Sequence, residues 1–467
     1  MNEAAPSMLW APQAWLPGGW QYNVLLRIGS DSCWAEIRPD VAQPPAGATV
    51  IDGPLLPGLV NAHSHAFQRA FAGLAERRES ESDDFWSWRE RMYQVALRIT
   101  PRQLRAIAAQ LYVELLQGGY THVCEFNYLQ HDTQGQPYAD PLAMSWALAD
   151  AASDAGIGLT LMPALYERAG FTQPALRDDQ RRFATTPASV WAAAQDIATS
   201  GRPNVRAGLV VHSLRAASPE SIKQLRDLAH AFDGPIHIHV AEQQAEVDEC
   251  LAATGARPIE WLAREGLLDP RWHLVHATHT ERSEIDAVAR SGAGIVLCPT
   301  TEANLGDGLC DLPGWLNAGV PMTIGSDSHV TRDWREELRW LEYGQRLVLR
   351  KRNVAAAPEL GFASSAERLF DLAVRAGARA AGWPAWGLTV GAQADALVHE
   401  SGDPTLLGVP KENVLDAFVF SSPVRPWRDV MVSGRWVIRN HLHPLGKTVA
   451  QGAVESMAAI ECQSWAV

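Results

Sequence analysis

The sequence predicts an α/β protein: a TIM-type (β/α)8 barrel with a small β-sandwich domain built from both termini. Three observations lead there. Strand-like runs alternate with helical patterns across residues 58–385, as parallel βα units require. Eight such runs can be counted, the number that closes a barrel. The first, fifth and sixth of them end in histidine and the eighth in aspartate, at the carboxyl ends where barrel enzymes keep their chemistry.

The elements follow in chain order. Residues 1–57 read as the N-terminal part of the β domain: Tyr22 to Ile28 is apolar-rich, Cys33 to Ile37 follows a polar turn, and "PPAGATVIDGPLLPG" is punctuated by Pro and Gly. The barrel strands are "GLVNAHSH", "THVCEF", "GLTLMPAL", "VRAGLVVHS", "PIHIHVAE", "HLVHATH", "GIVLCPT" and "VPMTIGSDS". Between the first two, Thr100 is placed to cap a helix with Pro101 at its first position. Leu104, Ile107, Leu111 and Leu115 share one face of it, and Gly118-Gly119 ends it. Asp140-Pro141 to Gly156 and Ser218-Pro219 to Phe232 repeat the design. Residues 386–467 supply the C-terminal part of the β domain and a tail, with strand-like "ADALVHE", "DAFVFSS" and "RDVMVSGRWVIRN", the last a hairpin about Ser433-Gly434.

Composition narrows the class. A formal charge of −13 argues against a nucleic-acid or membrane-surface partner. The six cysteines lack CxxC spacing, so neither a zinc ribbon nor a disulfide framework is indicated. The N-terminus carries no basic region followed by an apolar run, and no stretch approaches a membrane span, so a cytoplasmic protein is expected. The 18 Trp are dispersed and read as packing residues rather than carbohydrate platforms.

The chemistry concentrates in His63-Ser64-His65. With 15 His in 467 residues, random placement supplies about half a His-x-His pair, so the pair alone is weak. Its position after the apolar run Leu59-Val60-Asn61-Ala62 gives it weight, whereas His441-x-His443 lies in a polar turn. In "PIHIHVAE" strand alternation puts His237 and His239 on one face. His239 lies nearer the carboxyl end with Glu242 following, and His237 reads as a buried core histidine. "HLVHATHT" offers His276 at the strand end, with His273 deeper and His279 in the next loop. Asp327 closes the series in "TIGSDSH". Neutral imidazoles with a carboxylate suit a divalent ion such as Zn²⁺, which activates water near neutral pH, and hydrolysis follows from that. Two-metal barrels often need a carbamylated lysine ending the fourth strand. That strand here reads "GLVVHS" and the nearest lysine, Lys223, lies in the following helix, so one ion is expected.

These motifs resemble the amidohydrolase superfamily in its mononuclear deaminase branch, over nearly the whole chain. "NAHSHAFQRAFAG", "SWRERMY", "VHSLRA", "HVAEQ" and "CPTTEANLGDG" are similar to those of the formimidoylglutamate deiminase family of histidine degradation. The resemblance implies metal ligands His63, His65, His239 and Asp327, and catalytic roles for Glu242, His276 and Asp327. It implies substrate contacts by Gln68, Arg89, Tyr128, His212 and Arg215, a small dicarboxylic amidine as substrate, and a homodimer. Asp327 would then accept the proton of the attacking water, Glu242 would carry one to the departing nitrogen, and His276 would hydrogen-bond the reacting centre.

The residues bear on this independently. A substrate with two carboxylates calls for guanidinium groups, and Arg215 follows the strand end "VVHS". Without the resemblance, Arg89 reads as part of a solvated charged helix, and Tyr128 and Gln68 as packing or loop residues. The nearest rival is a deaminase of a guanine- or cytosine-like base, whose pocket needs neutral stacking groups in place of paired arginines. A metal-free barrel scaffold would have no use for four strand-end ligands.

Overall fold

The computed structural model describes residues 6–77, 85–421, 423 and 425–464. The few terminal residues expected in the β domain and tail, 1–5 and 465–467, lie outside them.

Eight strands, buried along their whole length, form the barrel: β1 (Leu59–Ser64), β2 (Tyr120–Asn127), β3 (Gly158–Leu165), β4 (Leu209–Ser213), β5 (Ile236–Val240), β6 (Trp272–His276), β7 (Gly294–Leu297) and β8 (Met322–Ile324). Each pairs in parallel with the next, and a bridge from Ser64 to Asp327 joins first to last. Burial on both faces explains why these runs are continuously apolar rather than alternating.

Helices cover the barrel in the expected order. Here α1 (Phe85–Ala96) and α2 (Pro101–Gln117) follow β1, and α2 begins as its sequence requires. The Thr100 hydroxyl accepts from the Gln103 amide while the Gln103 side chain accepts from the Thr100 N–H, which satisfies two of the helix's orphan donors. The helix Ala143–Ala155 stops at Gly156, whose φ of +76° suits glycine.

A second sheet draws on both termini. Met8–Leu16, Gly19–Ile28 and Trp34–Arg38 run antiparallel in turn, and Pro54–Leu56 connects them to Ala396–Val398 and the hairpin Asp429–Val432/Arg435–Ile438. Leu9, Val24, Leu26, Trp34, Leu55 and Met431 form its core, separate from that of the barrel. The hairpin turns at Ser433 and Gly434, both with positive φ, as an Xaa-Gly I′ turn demands.

Two strand-like segments differ from expectation. "VRAGLVVHS" is two strands, Val205–Ala207 and β4, parted at Gly208, where a Cβ would stand 2.7 Å from Met162. "DAFVFSS" is helical over Val414–Asp416 and Ala417–Ser421; Ala417, Phe418 and Val419 are buried and Phe420 partly so, with Phe418 packed on Trp427 (5.5 Å) and Phe420 on Tyr343 (5.7 Å) instead of in a sheet. The tail is a helix, Gly446–Ser464, laid against α2. Among the described residues no helix is long and apolar enough to cross a membrane.

Candidate active site

The carboxyl ends of the strands open into a pocket lined by polar and aromatic side chains, Gln68, Trp88, Arg89 and Tyr128 among them. Every site residue expected from sequence lines it except His63, which sits beneath the floor, fully buried.

The floor is a cluster of nitrogen and oxygen lone pairs. His63 Nε2 lies 3.0 Å from His239 Nε2 and 3.4 Å from Asp327 Oδ1, and His65 Nε2 lies 3.4 Å from the same oxygen. Tetrahedral coordination at ordinary Zn–N and Zn–O distances spaces ligand atoms ~3.3 Å apart; His63, His65 and Asp327 form one group close enough to share an ion, and His63, His239 and His276 form a second that shares His63 with it. Burial keeps all three rings neutral: it holds His63 and His239 well below the usual histidine range and His65 down to about 3. Neutral imidazoles this close to one another, and to a carboxylate, present lone pairs that a cation would reconcile. His65 Nδ1 is 3.0 Å from the Phe126 carbonyl, which must accept its N–H and so turns the Nε2 lone pair inward.

Lys223, the lysine nearest the fourth strand, pairs with Glu265 at 2.6 Å on the partly exposed outer face, far from this cluster's buried surroundings.

The backbone at these positions is unusual. His276 and Asp327 both have positive φ, +71° and +45°, and Ala241 and Ala277 share that conformation. Left-handed backbone at residues with side chains is costly and collects where a site must be held open. Here it turns the chain just past the end of β5, β6 and β8 and aims side chains into the pocket.

One wall is acidic. His276 Nε2 is 3.6 Å from Glu242 Oε1 and 3.9 Å from Asp327 Oδ2, while its Nδ1 is 3.4 Å from Glu302 Oε1. Burial opposes charge on His276, yet Glu242, Glu302 and Asp327 together lift it to about 10. Burial raises Glu242, with His276 and Arg215 opposing and Asp327 adding. Glu302 escaped the sequence reading although it lies in "CPTTEANLGDG"; its signal was its place just after the seventh strand end.

Another part of the lining is basic. Arg89 and Arg215 are both buried, and among the described residues neither forms an ion pair. Arg89 Nε and Arg215 Nη1 have no hydrogen-bond partner. Both guanidinium groups flank the Trp86 ring, at 4.4 and 5.6 Å from its centroid. Burial and the neighbouring Arg215 charge work to lower Arg89, with the Tyr93 hydroxyl opposing. Buried Glu246 offsets the desolvation of Arg215. Trp86 and Glu246 carried no signal in the sequence, because an indole in a Trp-rich chain and a helical glutamate are both commonplace.

Tyr128 accepts a hydrogen bond from Gln68 Nε2 at 3.2 Å and stacks edge-on to His212 at 5.3 Å. Gln68 Oε1 is buried without a partner. Burial and Arg215 keep His212 neutral. His237 lies one layer below His239, with Nε2 2.9 Å from the Ala380 carbonyl and the His273 ring 5.0 Å away, a buried core position.

The amidohydrolase family model matches residues 55–437. Formimidoylglutamate deiminase of Pseudomonas aeruginosa is 45% identical over 458 residues, covering 97% of this chain and 99% of that protein. A solved amidohydrolase from Brucella melitensis superposes with a TM-score of 0.91 at 40% identity, covering 97% of this chain and 99% of that one. An adenosine deaminase from Xanthomonas campestris solved with bound zinc shares the fold, with a TM-score of 0.79 at 21% identity over 99% and 100% of the two chains. A barrel with histidines and aspartate gathered at its strand ends, matched along most of its length by these relatives, places the chain: it belongs to the amidohydrolase family.

Proposed function

We propose that this protein hydrolyses the formimino group of N-formimino-L-glutamate, releasing ammonia and N-formyl-L-glutamate. The observation that carries the reading is the pair of buried guanidinium groups, Arg89 and Arg215, which line the same pocket as the histidine and aspartate cluster and each carry a nitrogen without a hydrogen-bond partner. A buried donor left unsatisfied is costly, and a dicarboxylate satisfies both at once. The acidic groups of the lining, Glu242 and Asp327, suit the cationic amidine. Likeness to the Pseudomonas deiminase supports the same substrate.

His63, His65, His239 and Asp327 are the residues that would hold one divalent ion, and the three-nitrogen, one-oxygen set favours Zn²⁺. Such an ion supplies Lewis-acid activation of water. Asp327 Oδ2 takes the proton released as oxygen adds to the formimino carbon, and His276, 3.9 Å away, hydrogen-bonds the oxygen that carries the developing charge. Glu242 delivers a proton to the terminal nitrogen. The terminal nitrogen of the cationic amidine already carries two hydrogens, so this one proton lets it leave as ammonia as the C–N bond breaks, and the second hydrogen of the water is lost to solvent as the oxygen becomes the formyl carbonyl. The carboxylates held by Arg89 and Arg215 keep the carbon over Asp327 and Glu242 throughout.

Ammonia release against N-formimino-L-glutamate, N-formimino-L-aspartate, guanine and cytosine tests this. The first should turn over far faster than the neutral bases, and Arg215→Met should lose ~2–5 kcal/mol of transition-state binding on it, because a charged carboxylate is left desolvated and unpaired. Equal rates on guanine or cytosine would replace the reading with that of a base deaminase.

A further inference from the structure

We propose that Tyr93 is a further specificity-determining residue, donating its hydroxyl hydrogen to a substrate carboxylate alongside Arg89 and Arg215; this rests on the dicarboxylate reading above. Tyr93 follows Arg89 by four residues on α1, so both side chains share the helix's buried face, and the Arg89 guanidinium carbon is 5.6 Å from the Tyr93 ring centroid. Both line the pocket.

The direction of Tyr93's hydrogen bond is set from outside the pocket. Gln180 Oε1 accepts the backbone N–H of Arg177 at 3.1 Å, which fixes which end of that amide is oxygen. Its Nε2 therefore donates to the Tyr166 hydroxyl, at 2.9 Å. The Tyr166 hydroxyl is 3.1 Å from that of Tyr93. Tyr166 is buried behind the lining, its ring against His212 at 4.4 Å and Phe183 at 5.3 Å, and burial raises its hydroxyl well above the ordinary range, so it keeps its proton. Having accepted from Gln180, it has one hydrogen to place, and the hydroxyl oxygen of Tyr93 is the acceptor at hand. The reverse polarity would strand the Tyr166 hydrogen in a buried site.

Tyr93 is thus left with an outward hydrogen. The charged groups near it, Arg89 and Arg215 in the lining and Arg177 at 6.0 Å from its ring, are donors only. An acceptor has to arrive with the ligand. A carboxylate held by the guanidinium groups has lone pairs to spare, and a phenol gives it a hydrogen bond of fixed direction that a neutral base, with one acceptor at most in that corner, does not repay.

Steady-state kinetics on N-formimino-L-glutamate for wild type, Tyr93→Phe and Tyr166→Phe, with glutarate titrated calorimetrically into each, tests the proposal. A hydrogen bond to a charged group corresponds to about 10–100-fold in affinity. Tyr93→Phe should raise KM and the glutarate Kd by about tenfold or more, with kcat within about threefold. Tyr166→Phe, which removes the polarising relay but keeps the outward donor, should give a smaller rise in both. A purely structural role would lower Tm in both variants and leave KM and glutarate affinity at wild-type values, and that result overturns the proposal. Should wild type fail to release ammonia from N-formimino-L-glutamate, the functional reading falls, while the glutarate titration still decides Tyr93.

Discussion

Glu242 and Arg215 show how individual residues set the chemistry of the pocket. Burial drives Glu242 toward its protonated form, and the Asp327 carboxylate adds to that, so it can give a proton as well as take one. Arg215 keeps its charge despite burial because Glu246 stands behind it. Glu246 itself is raised to about 7, by burial first, with Arg215 opposing. In the proposed mechanism Glu242 moves the proton and does not hold the ion. Glu242→Gln should therefore retain the metal found by elemental analysis and lose ~10²–10⁴-fold in kcat, the range for removal of a general acid–base. Normal turnover would take the proton transfer away from Glu242.

At the scale of elements, the site depends on how the first and last strands meet. Asn61 on β1 donates to Ser326 Oγ at 2.7 Å and accepts from the Ser326 N–H at 2.9 Å, and Asp327 N–H donates to the His63 carbonyl at 3.0 Å. Gly325 passes so close that a Cβ there would stand 2.6 Å from His63 Cβ and 2.8 Å from its backbone nitrogen. No flexible side-chain end can yield at such a contact. Gly325→Ala should force β1 and β8 apart, costing ~1–3 kcal/mol in denaturant unfolding, the range for overpacking, and lowering metal content because His63 moves. Native stability together with full metal content would mean that the seam opens without disturbing His63.

Over the whole molecule, the barrel and the β domain are joined by buried polar groups as well as apolar packing. Trp427 N–H donates to Gln117 O at the end of α2, and Trp427 stacks on Trp334 at 6.0 Å. Within the β domain Asp395 is buried and accepts from the Ser433 N–H at 2.7 Å; burial lifts it to about 7 in spite of that bond. A carboxyl at about 7 when folded and about 4 when unfolded binds its proton more tightly in the folded state. Its contribution is complete below about pH 4 and is lost as pH rises through 7. Asp395→Asn keeps an acceptor for Ser433 and removes the titration. Measured against wild type by thermal unfolding, the variant should gain relative stability from pH 5 to 8, and a difference that stays flat across that range would refute the assignment. Comparing the two proteins cancels the buried histidines such as His122, which burial holds at about 3 and which act in the opposite direction.

The alternation of apolar runs with helical patterns, and the polar residue types ending those runs, are local properties, and from them the barrel, the pairing of the termini into one sheet and the His63, His65, His239, His276 and Asp327 positions were legible. Periodicity says which way a strand residue points and where the strand stops, and in a parallel barrel that suffices to bring strand ends together. Other features depended on partners distant in sequence. "DAFVFSS" is as apolar as a strand, and only its packing on Trp427 and Tyr343 made it helical. Arg89 read as a solvated helix residue until the fold buried it beside Trp86 and Arg215. Glu302, Glu246 and the Gln180–Tyr166–Tyr93 chain gain meaning from contacts of 2.9 to 3.4 Å between separate elements, or from the charge of a neighbour. The sequence by itself determined which chemistry the strand ends could carry, because residue type and period are written locally; charge balance, hydrogen-bond direction and which arginines lose their water were decided by the tertiary structure, because they are properties of neighbours in space.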